Sequence, residues 1–134
     1  MYNLRVGKMH SKTCLVVDDS RVVRKVARRI AEELGFECSE AEDGQKAYDA
    51  CRQSMPDAIL LDWNMPVMGG MEFLEKLRQM KNGKHPKVIF CTIESKPKNI
   101  QKAMKAGASE YIVKPFDSEI IRTKFSAAGL IAKE

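Results

Sequence analysis

The most constraining feature of this chain is the alternation of short apolar runs with segments whose apolar residues recur at helical spacing. Short, continuous runs rich in β-branched residues are typical of strands buried on both faces of a parallel sheet. The runs are Thr13–Val17, Phe36–Ser39, Ala58–Leu61, Val88–Thr92 and Tyr111–Val113. The pattern predicts an α/β fold, (βα)5, in which right-handed crossovers place helices on both faces of a parallel five-stranded sheet.

The intervening segments predict helices with one apolar face, and glycines mark where some of them end. Gly35 is expected to end the first helix, and Gly107 the helix that runs from Pro97 to Ala106. The last helix is expected to start at about Ser118. Inward positions are predicted at Val23, Val26, Ala27, Ile30 and Leu34, then at Ile100, Ala103 and Met104, and finally at Ile120, Ile121 and Phe125.

Length and composition favour one globular domain. The chain has 134 residues, of which 44% are hydrophobic and 31% charged. Residues 1–11 are polar and mixed, so we expect a flexible extension followed by a folded domain over residues 12–134. No apolar run reaches the ~20 residues of a membrane span, and no signal peptide is evident. The four cysteines form no CxxC pair, which favours buried reduced thiols and a cytoplasmic protein.

The net charge of +5 leaves two classes of partner open. Basic surfaces bind nucleic-acid phosphates without sequence preference, and they also suit acidic protein partners. We favour a protein partner. The first helix carries Arg21, Arg24, Lys25, Arg28 and Arg29, and the fourth carries Lys96, Lys98, Lys102 and Lys105. The first set is either a solvated face or a docking site for a kinase.

Polar residues follow the predicted strands where each strand ends. Asp18 and Asp19 follow the first strand, Asp62 the third and Lys114 the fifth, while Thr92 ends the fourth. Ligands of open parallel sheets bind outside the carboxyl ends of the strands. Three acids, a hydroxyl and an amine are therefore predicted to converge on one edge of the sheet.

These residues and their surroundings resemble the CheY-like receiver domain of the two-component response-regulator family. The matching segments are Asp18-Asp19, LLDWNMPVMGG with Asp62, Thr92, and YIVKPF from Tyr111 to Phe116. The resemblance extends from about Lys12 to Leu130. It implies the flavodoxin-like strand order 2-1-3-4-5 and a cis peptide bond between Lys114 and Pro115.

The charges of the predicted site require a counterion. Asp18, Asp19 and Asp62 contribute three negative charges and Lys114 one positive charge, which leaves about −2. Oxygen ligands of this kind favour Mg²⁺. The resemblance implies that Asp19, Asp62 and the backbone carbonyl of Asn64 are direct ligands, whereas Asp18 acts through water.

The resemblance also implies the function. Asp62 is expected to accept a phosphoryl group from a histidine kinase or a histidine phosphotransfer protein, with Lys114 and Thr92 neutralising the phosphoryl oxygens. Thr92 and Tyr111 are then expected to switch the surface formed by helix four, strand five and helix five, and so to control a target protein. Asn64 and Glu94 are expected to tune a short phosphoryl lifetime. Trp63 is expected at the edge of the site.

We therefore expect a monomeric, stand-alone response regulator rather than an enzyme with turnover beyond its own phosphorylation and dephosphorylation. Chemotaxis is the favoured pathway, and a stress or cell-cycle phosphorelay with phosphate shuttling is the alternative. An Asp-dependent phosphatase is disfavoured because Asn64 occupies the position where that class needs a second acid. A flavin or nucleotide module is disfavoured because the first loop, DDSR, has no glycine-rich phosphate cradle.

Overall fold

A computed structural model describes residues 12–93 and 96–132. Strands and helices alternate along them, in five strand–helix pairs. The strands are β1 (Thr13–Val17), β2 (Glu37–Ala41), β3 (Ala58–Asp62), β4 (Lys87–Thr92) and β5 (Glu110–Val113). The helices are α1 (Arg21–Glu33), α2 (Gly44–Gln53), α3 (Gly70–Gln79), α4 (Pro97–Lys105) and α5 (Ser118–Ala127). The extension predicted for residues 1–11 lies outside the described part of the chain.

The strands form one parallel sheet in the order β2-β1-β3-β4-β5, which confirms the predicted fold and strand order. Strand β1 is an interior strand and pairs with β2 on one side and β3 on the other. The chain therefore reverses its direction of progress across the sheet beside β1. A crevice at the carboxyl ends of the strands follows from this reversal, and such crevices are where doubly wound sheets bind ligands.

Side chains alternate between the two faces of the sheet, and each face has its own core. Leu15, Val17 and Phe90 lie in the core that is completed by α2, α3 and α4. Cys14 and Val16 point to the opposite face and pack against α1 and α5. The three inner strands β1, β3 and β4 are buried on both sides and are apolar at almost every position, which is why they were recognisable in the sequence. The edge strand β2 is only partly buried and is more polar.

The junction between α1 and β2 differs from the prediction by a small shift. Gly35 ends α1 with a positive φ of 97°, as expected. Its N–H donates to the Glu32 carbonyl, and the Phe36 N–H donates to the Ala31 carbonyl, which together form a Schellman motif. Phe36 therefore belongs to the helix cap. Its ring packs edge-on against the ring of Phe125, with the ring centroids 5.1 Å apart. Strand β2 begins one residue later than predicted and continues to Ala41.

Three residues predicted to face inward are exposed instead. Val26, Met104 and Ile120 keep 46%, 42% and 37% of their accessible surface. A helix that packs on a sheet buries only a narrow stripe, here Ala27, Ile30 and Ala31 in α1. The three exposed residues lie on the flanks of these stripes. A helical periodicity identifies the apolar side of a helix but not how much of it the neighbouring elements cover.

The four cysteines are free thiols, as predicted. Cys14, Cys51 and Cys91 are buried, whereas Cys38 is only half-buried because β2 is an edge strand. Within the described residues, no helix is both long and apolar enough to cross a membrane.

Candidate functional site

The three acids predicted at the strand ends meet at the carboxyl edge of the sheet. Carboxylate oxygens of Asp18, Asp19 and Asp62 all lie within 4.8 Å of one another. Asp18 and Asp62 are buried, whereas Asp19 is exposed to solvent. A cluster of this kind supplies only oxygen ligands and could hold a hard metal ion.

Lys114 bridges the two buried acids. Its ammonium nitrogen lies 2.9 Å from Asp18 Oδ2 and 3.0 Å from Asp62 Oδ1. Backbone donors hold the same carboxylates, because Ser20 N–H donates to Asp18 Oδ1 at 2.8 Å and Trp63 N–H donates to Asp62 Oδ1 at 3.0 Å. One ammonium group and two backbone amides thus orient two of the three acids.

The pKa values in the site reflect this crowding. Burial, followed by the charges of Asp18 and Asp19, raises the pKa of Asp62, although Lys114 opposes the shift. Burial alone would lower the pKa of Lys114, but its bonds to Asp18 and Asp62 raise it. The site therefore keeps a protonated lysine among carboxylates whose summed charge exceeds it. An added cation would lower the pKa of Asp62 and hold it ionised.

The remaining predicted residues lie where strands β4 and β5 end. Thr92 is buried, with 3% of its surface exposed, and its carbonyl accepts a hydrogen bond from the Lys114 N–H at 2.8 Å. The peptide bond between Lys114 and Pro115 is cis, as the resemblance implied. Tyr111 is partly buried, and its ring centroid lies 5.4 Å from the ammonium of Lys124. The movement of Thr92 and Tyr111 stays a prediction.

The loop after β3 brings Trp63 and Asn64 to the site. The Trp63 ring lies partly buried against Phe90, with centroids 4.9 Å apart, so it reports on this end of the sheet. Asn64 is exposed in the same loop. Glu94, the other residue expected to tune phosphoryl lifetime, lies outside the described residues.

Two positioning residues were not identified as such from the sequence. Arg24 donates from Nη1 to the backbone carbonyl of Asp18 at 2.8 Å and so braces the loop after β1. Gly70 lies against β3, where an added Cβ would sit 2.3 Å from the Asp62 carbonyl oxygen. The sequence shows a basic helix and a chain-breaking glycine at these positions, but it does not show which backbone atoms they contact.

Helix α1 is less uniformly basic than its sequence indicates. Glu40 on β2 pairs with Arg24, Lys25 and Arg28, each at 3.0 Å. Burial would raise the pKa of Glu40, but the hydrogen bonds from these three cations lower it to about 2. Three of the five predicted basic residues are thus engaged by Glu40, whose single negative charge offsets one of their three positive charges.

An open, mainly apolar groove of about 410 Å³ adjoins the acid cluster. It runs between α1 and the segment that follows β5, and Lys114 belongs to both features. The exposed side chains of Val22 and Ile93 lie at the groove. The other lining residues are Val23, Val26, Pro115 and Phe116.

Comparison with known proteins identifies the family. The model for the response regulator receiver domain matches residues 14–126. Chemotaxis protein CheY-3 of Vibrio cholerae is 36% identical over 111 residues, which cover 82% of this chain and 85% of the relative. Chemotaxis protein CheY of Pseudomonas aeruginosa is 35% identical over 111 residues, with 82% and 90% covered.

Solved structures of CheY proteins have a similar fold. The chemotaxis response regulator CheY4 of Vibrio cholerae superimposes with a TM-score of 0.83 at 30% identity, covering 88% of this chain and 98% of that one. A CheX–CheY–BeF3–Mg²⁺ complex from Borrelia burgdorferi gives a TM-score of 0.83 at 26% identity, with 90% of both chains covered. The fold, the strand-end acids and these matches together place this chain in the response regulator receiver domain family.

Proposed function

We propose that Asp62 accepts a phosphoryl group from the phosphohistidine of a histidine kinase or a histidine phosphotransfer protein. The observation that carries the proposal is the cluster of Asp18, Asp19 and Asp62 around Lys114 at the carboxyl edge of the sheet. Asp18 and Asp62 both contact Lys114, but among the acids of the described cluster only Asp62 is itself the last residue of a strand, β3.

The transfer would exchange one bond to phosphorus for another. The described hydrogen bonds of Asp62 engage Oδ1, so we assign the attack to Oδ2. A P–O bond forms to Asp62, the P–N bond of the phosphohistidine breaks, and the imidazole nitrogen leaves and takes up a proton. Lys114 is already within hydrogen-bonding distance of Asp62, and after the transfer its ammonium group would donate a hydrogen bond to a phosphoryl oxygen. The Thr92 hydroxyl would donate a hydrogen bond to a second phosphoryl oxygen.

Mg²⁺ is the cofactor we propose for this site. Asp19, Asp62 and the carbonyl of Asn64 would hold it directly, and Asp18 through water. When bound, it would neutralise charge on the phosphoryl group and the carboxylates. The all-oxygen donor set within 4.8 Å fits this hard cation. The structurally similar CheX–CheY complex from Borrelia burgdorferi was solved with BeF3 and Mg²⁺.

The apolar groove beside Lys114 supports a protein as phosphodonor. A donor helix that filled this groove would present its histidine next to the acid cluster, because Lys114 lines both. The exposed basic residues of α1, Arg21, Lys25 and Arg29, belong to the helix that forms one wall of the groove and would then lie near the donor. We propose a monomeric protein that acts in the cytoplasm with such a donor.

The output surface is proposed to comprise α4, β5 and α5. Exposed Met104, Val113 and Ile120 lie there beside the lysines of α4. Exposed apolar residues next to the lysines of α4 suit an acidic, amphipathic segment of a target protein. Phosphorylation would shift Thr92 and Tyr111 and so change the affinity of this surface. The chemotaxis names of the relatives favour a chemotaxis target, and a phosphorelay that shuttles phosphate is the alternative.

Phosphorylation by phosphoramidate tests the proposal, because this small donor carries the same P–N bond as phosphohistidine. With Mg²⁺ present, wild type should gain the mass of one phosphoryl group and Asp62→Asn should gain none. Asp49→Asn is the matched control, since Asp49 is an exposed acid of α2 and should leave labelling unchanged. Wild-type labelling of the Asp62→Asn protein would show that another residue is the acceptor. Continuous hydrolysis of a small phosphoester would instead support a phosphatase.

A further inference from the structure

Cys14 and Cys38 face each other across two neighbouring strands. They are register partners in the β1–β2 pairing, and both side chains lie on the face of the sheet that packs against α1 and α5. Parallel strands are about 4.8 Å apart. Disulfides join Cα atoms about 4.4–6.8 Å apart and Cβ atoms about 3.5–4.5 Å apart. A bond between these thiols therefore needs a closing movement of only about 1 Å, which an edge strand held on one side can make.

The two thiols differ in access and acidity. Cys38 is half-buried on the edge strand, whereas Cys14 keeps only 1% of its surface exposed. The hydrogen bond from Cys14 lowers the pKa of Cys38, and the charge of Arg28 acts in the same direction, while burial, Glu32 and Glu40 oppose it. The interaction with Cys38, and then burial, raises the pKa of Cys14. Cys38 is therefore the residue that a peroxide reaches first, because it lies on the edge strand whereas Cys14 is enclosed.

The other two cysteines lack these properties. Cys51 and Cys91 keep 3% and 4% of their surfaces exposed. Burial raises their pKa values to about 11 and about 12. Relative to an ordinary thiol, this reduces their thiolate fraction by about a hundredfold or more. Oxidation in the folded protein should consequently be selective for the pair.

We propose that Cys38 and Cys14 are a redox-active dithiol, in which a peroxide oxidises Cys38 and Cys14 converts the product to a disulfide across β1 and β2. This site is independent of the proposed phosphorylation. The Cys38 thiolate attacks one oxygen of hydrogen peroxide, the O–O bond breaks, and hydroxide leaves and takes up a proton. The Cys14 sulfur then attacks the sulfenic sulfur, the S–O bond breaks, and the departing hydroxide takes up the Cys14 thiol proton and leaves as water. In total, two thiols and one peroxide yield one disulfide and two waters.

The Cys14–Cys38 pair lies at the amino-terminal end of β1, away from the acid cluster at the carboxyl end. Asp18 is four residues after Cys14, a distance of about 13 Å along an extended strand. The thiols of the pair are thus separated from the acid cluster, and Asp62→Asn should form the disulfide with the same yield as wild type. This variant distinguishes failure of the redox proposal from failure of the proposed function.

The test uses the reduced full-length protein and one equivalent of hydrogen peroxide. Non-reducing peptide mapping of wild type should show one intramolecular Cys14–Cys38 disulfide, the loss of two thiols per chain, and their recovery with a phosphine reductant. In Cys14→Ala, Cys38 should accumulate as a sulfenic acid that dimedone traps. In Cys38→Ala, thiol loss should fall at least about tenfold, in line with the smaller thiolate fraction of the remaining cysteines. Cys51→Ala is the matched control and should behave as wild type.

Circular dichroism before and after treatment shows that oxidation occurs in the folded state. The proposal is overturned if Cys51 or Cys91 is oxidised as fast as Cys38 in the folded protein. It is also overturned if Cys38 stops at the sulfenic acid while Cys14 remains a thiol, or if the product is a disulfide between two chains.

Discussion

Removal of the Asp19 charge should have opposite effects on the metal-free and the Mg²⁺-bound protein. Asp19 is the exposed member of the acid cluster, and the described ion pairs of Lys114 go to Asp18 and Asp62 instead. Asp19→Ala therefore removes a negative charge with little loss of packing. It also removes one of the ligands that we propose for Mg²⁺.

The magnitude follows from the spacing of the acids, whose oxygens lie within 4.8 Å. Two unit charges at that distance repel by about 1 kcal/mol in water and by about 3.5 kcal/mol at an effective dielectric of about 20. Solvent screens the exposed Asp19, so the lower figure applies. Metal-free Asp19→Ala should gain about 1 kcal/mol in the free energy of unfolding, a rise in melting temperature of about 3 °C.

Mg²⁺ should reverse the order of stability of wild type and Asp19→Ala. A ligand at a hundred times its dissociation constant stabilises the fold that binds it by about 2.7 kcal/mol. Wild type should then melt about 5–10 °C higher than without the metal. The variant should respond little, so wild type becomes the more stable protein. The emission of Trp63, whose backbone N–H donates to Asp62 Oδ1, should change only where Mg²⁺ binds.

The assay is thermal unfolding by circular dichroism, with Mg²⁺ titrated from zero to tens of millimolar at constant ionic strength. Trp63 emission is recorded on the same samples. Asp49→Ala serves as the control, because it removes an exposed acid from α2 and should keep the full Mg²⁺ response. An equal Mg²⁺ response in wild type and Asp19→Ala would refute the role of Asp19. No response in wild type would refute the cation site as a whole.

Three further predictions concern residues around the site. Val67 is exposed and holds a positive φ of 68°, which is costly for a β-branched residue, so Val67→Gly should raise the free energy of urea unfolding by about 1 kcal/mol. Gly70→Ala would place a Cβ 2.3 Å from the Asp62 carbonyl oxygen, and the variant should lose about 1–3 kcal/mol in the same assay and bind Mg²⁺ more weakly. Glu40 has a folded-state pKa of about 2, below its ordinary value of 4.5, because the hydrogen bonds from α1 outweigh burial. Its stabilisation is therefore complete above about pH 4.5 and lost towards about pH 2. The difference in the free energy of unfolding between wild type and Glu40→Gln should shrink as the pH falls from about 4.5 to about 2. A difference that is constant with pH would contradict the pairing.

Local patterns were sufficient for most of the fold. A strand buried on both faces must be apolar along its length, and a helix on a sheet must be apolar on one side, so both leave periodicities that can be read without the structure. Gly35 marked the end of α1 because few other residues adopt a positive φ. The strand order and the cis bond before Pro115 were obtained from the family resemblance, since neither follows from periodicity.

Contacts between distant parts of the chain depended on the tertiary structure. The sequence placed Asp18, Asp62 and Lys114 at strand ends, but only the register of the sheet makes Lys114 bridge the two buried acids and leaves Asp19 in solvent. In the same way, the pairing of β1 with β2 brings Cys14 opposite Cys38. Side-chain partners across a sheet are decided by register and by crossover connections, which join residues far apart in the chain. The sequence therefore determined which chemical groups reach the edge of the sheet, and the packing of strands and helices decided which of them touch.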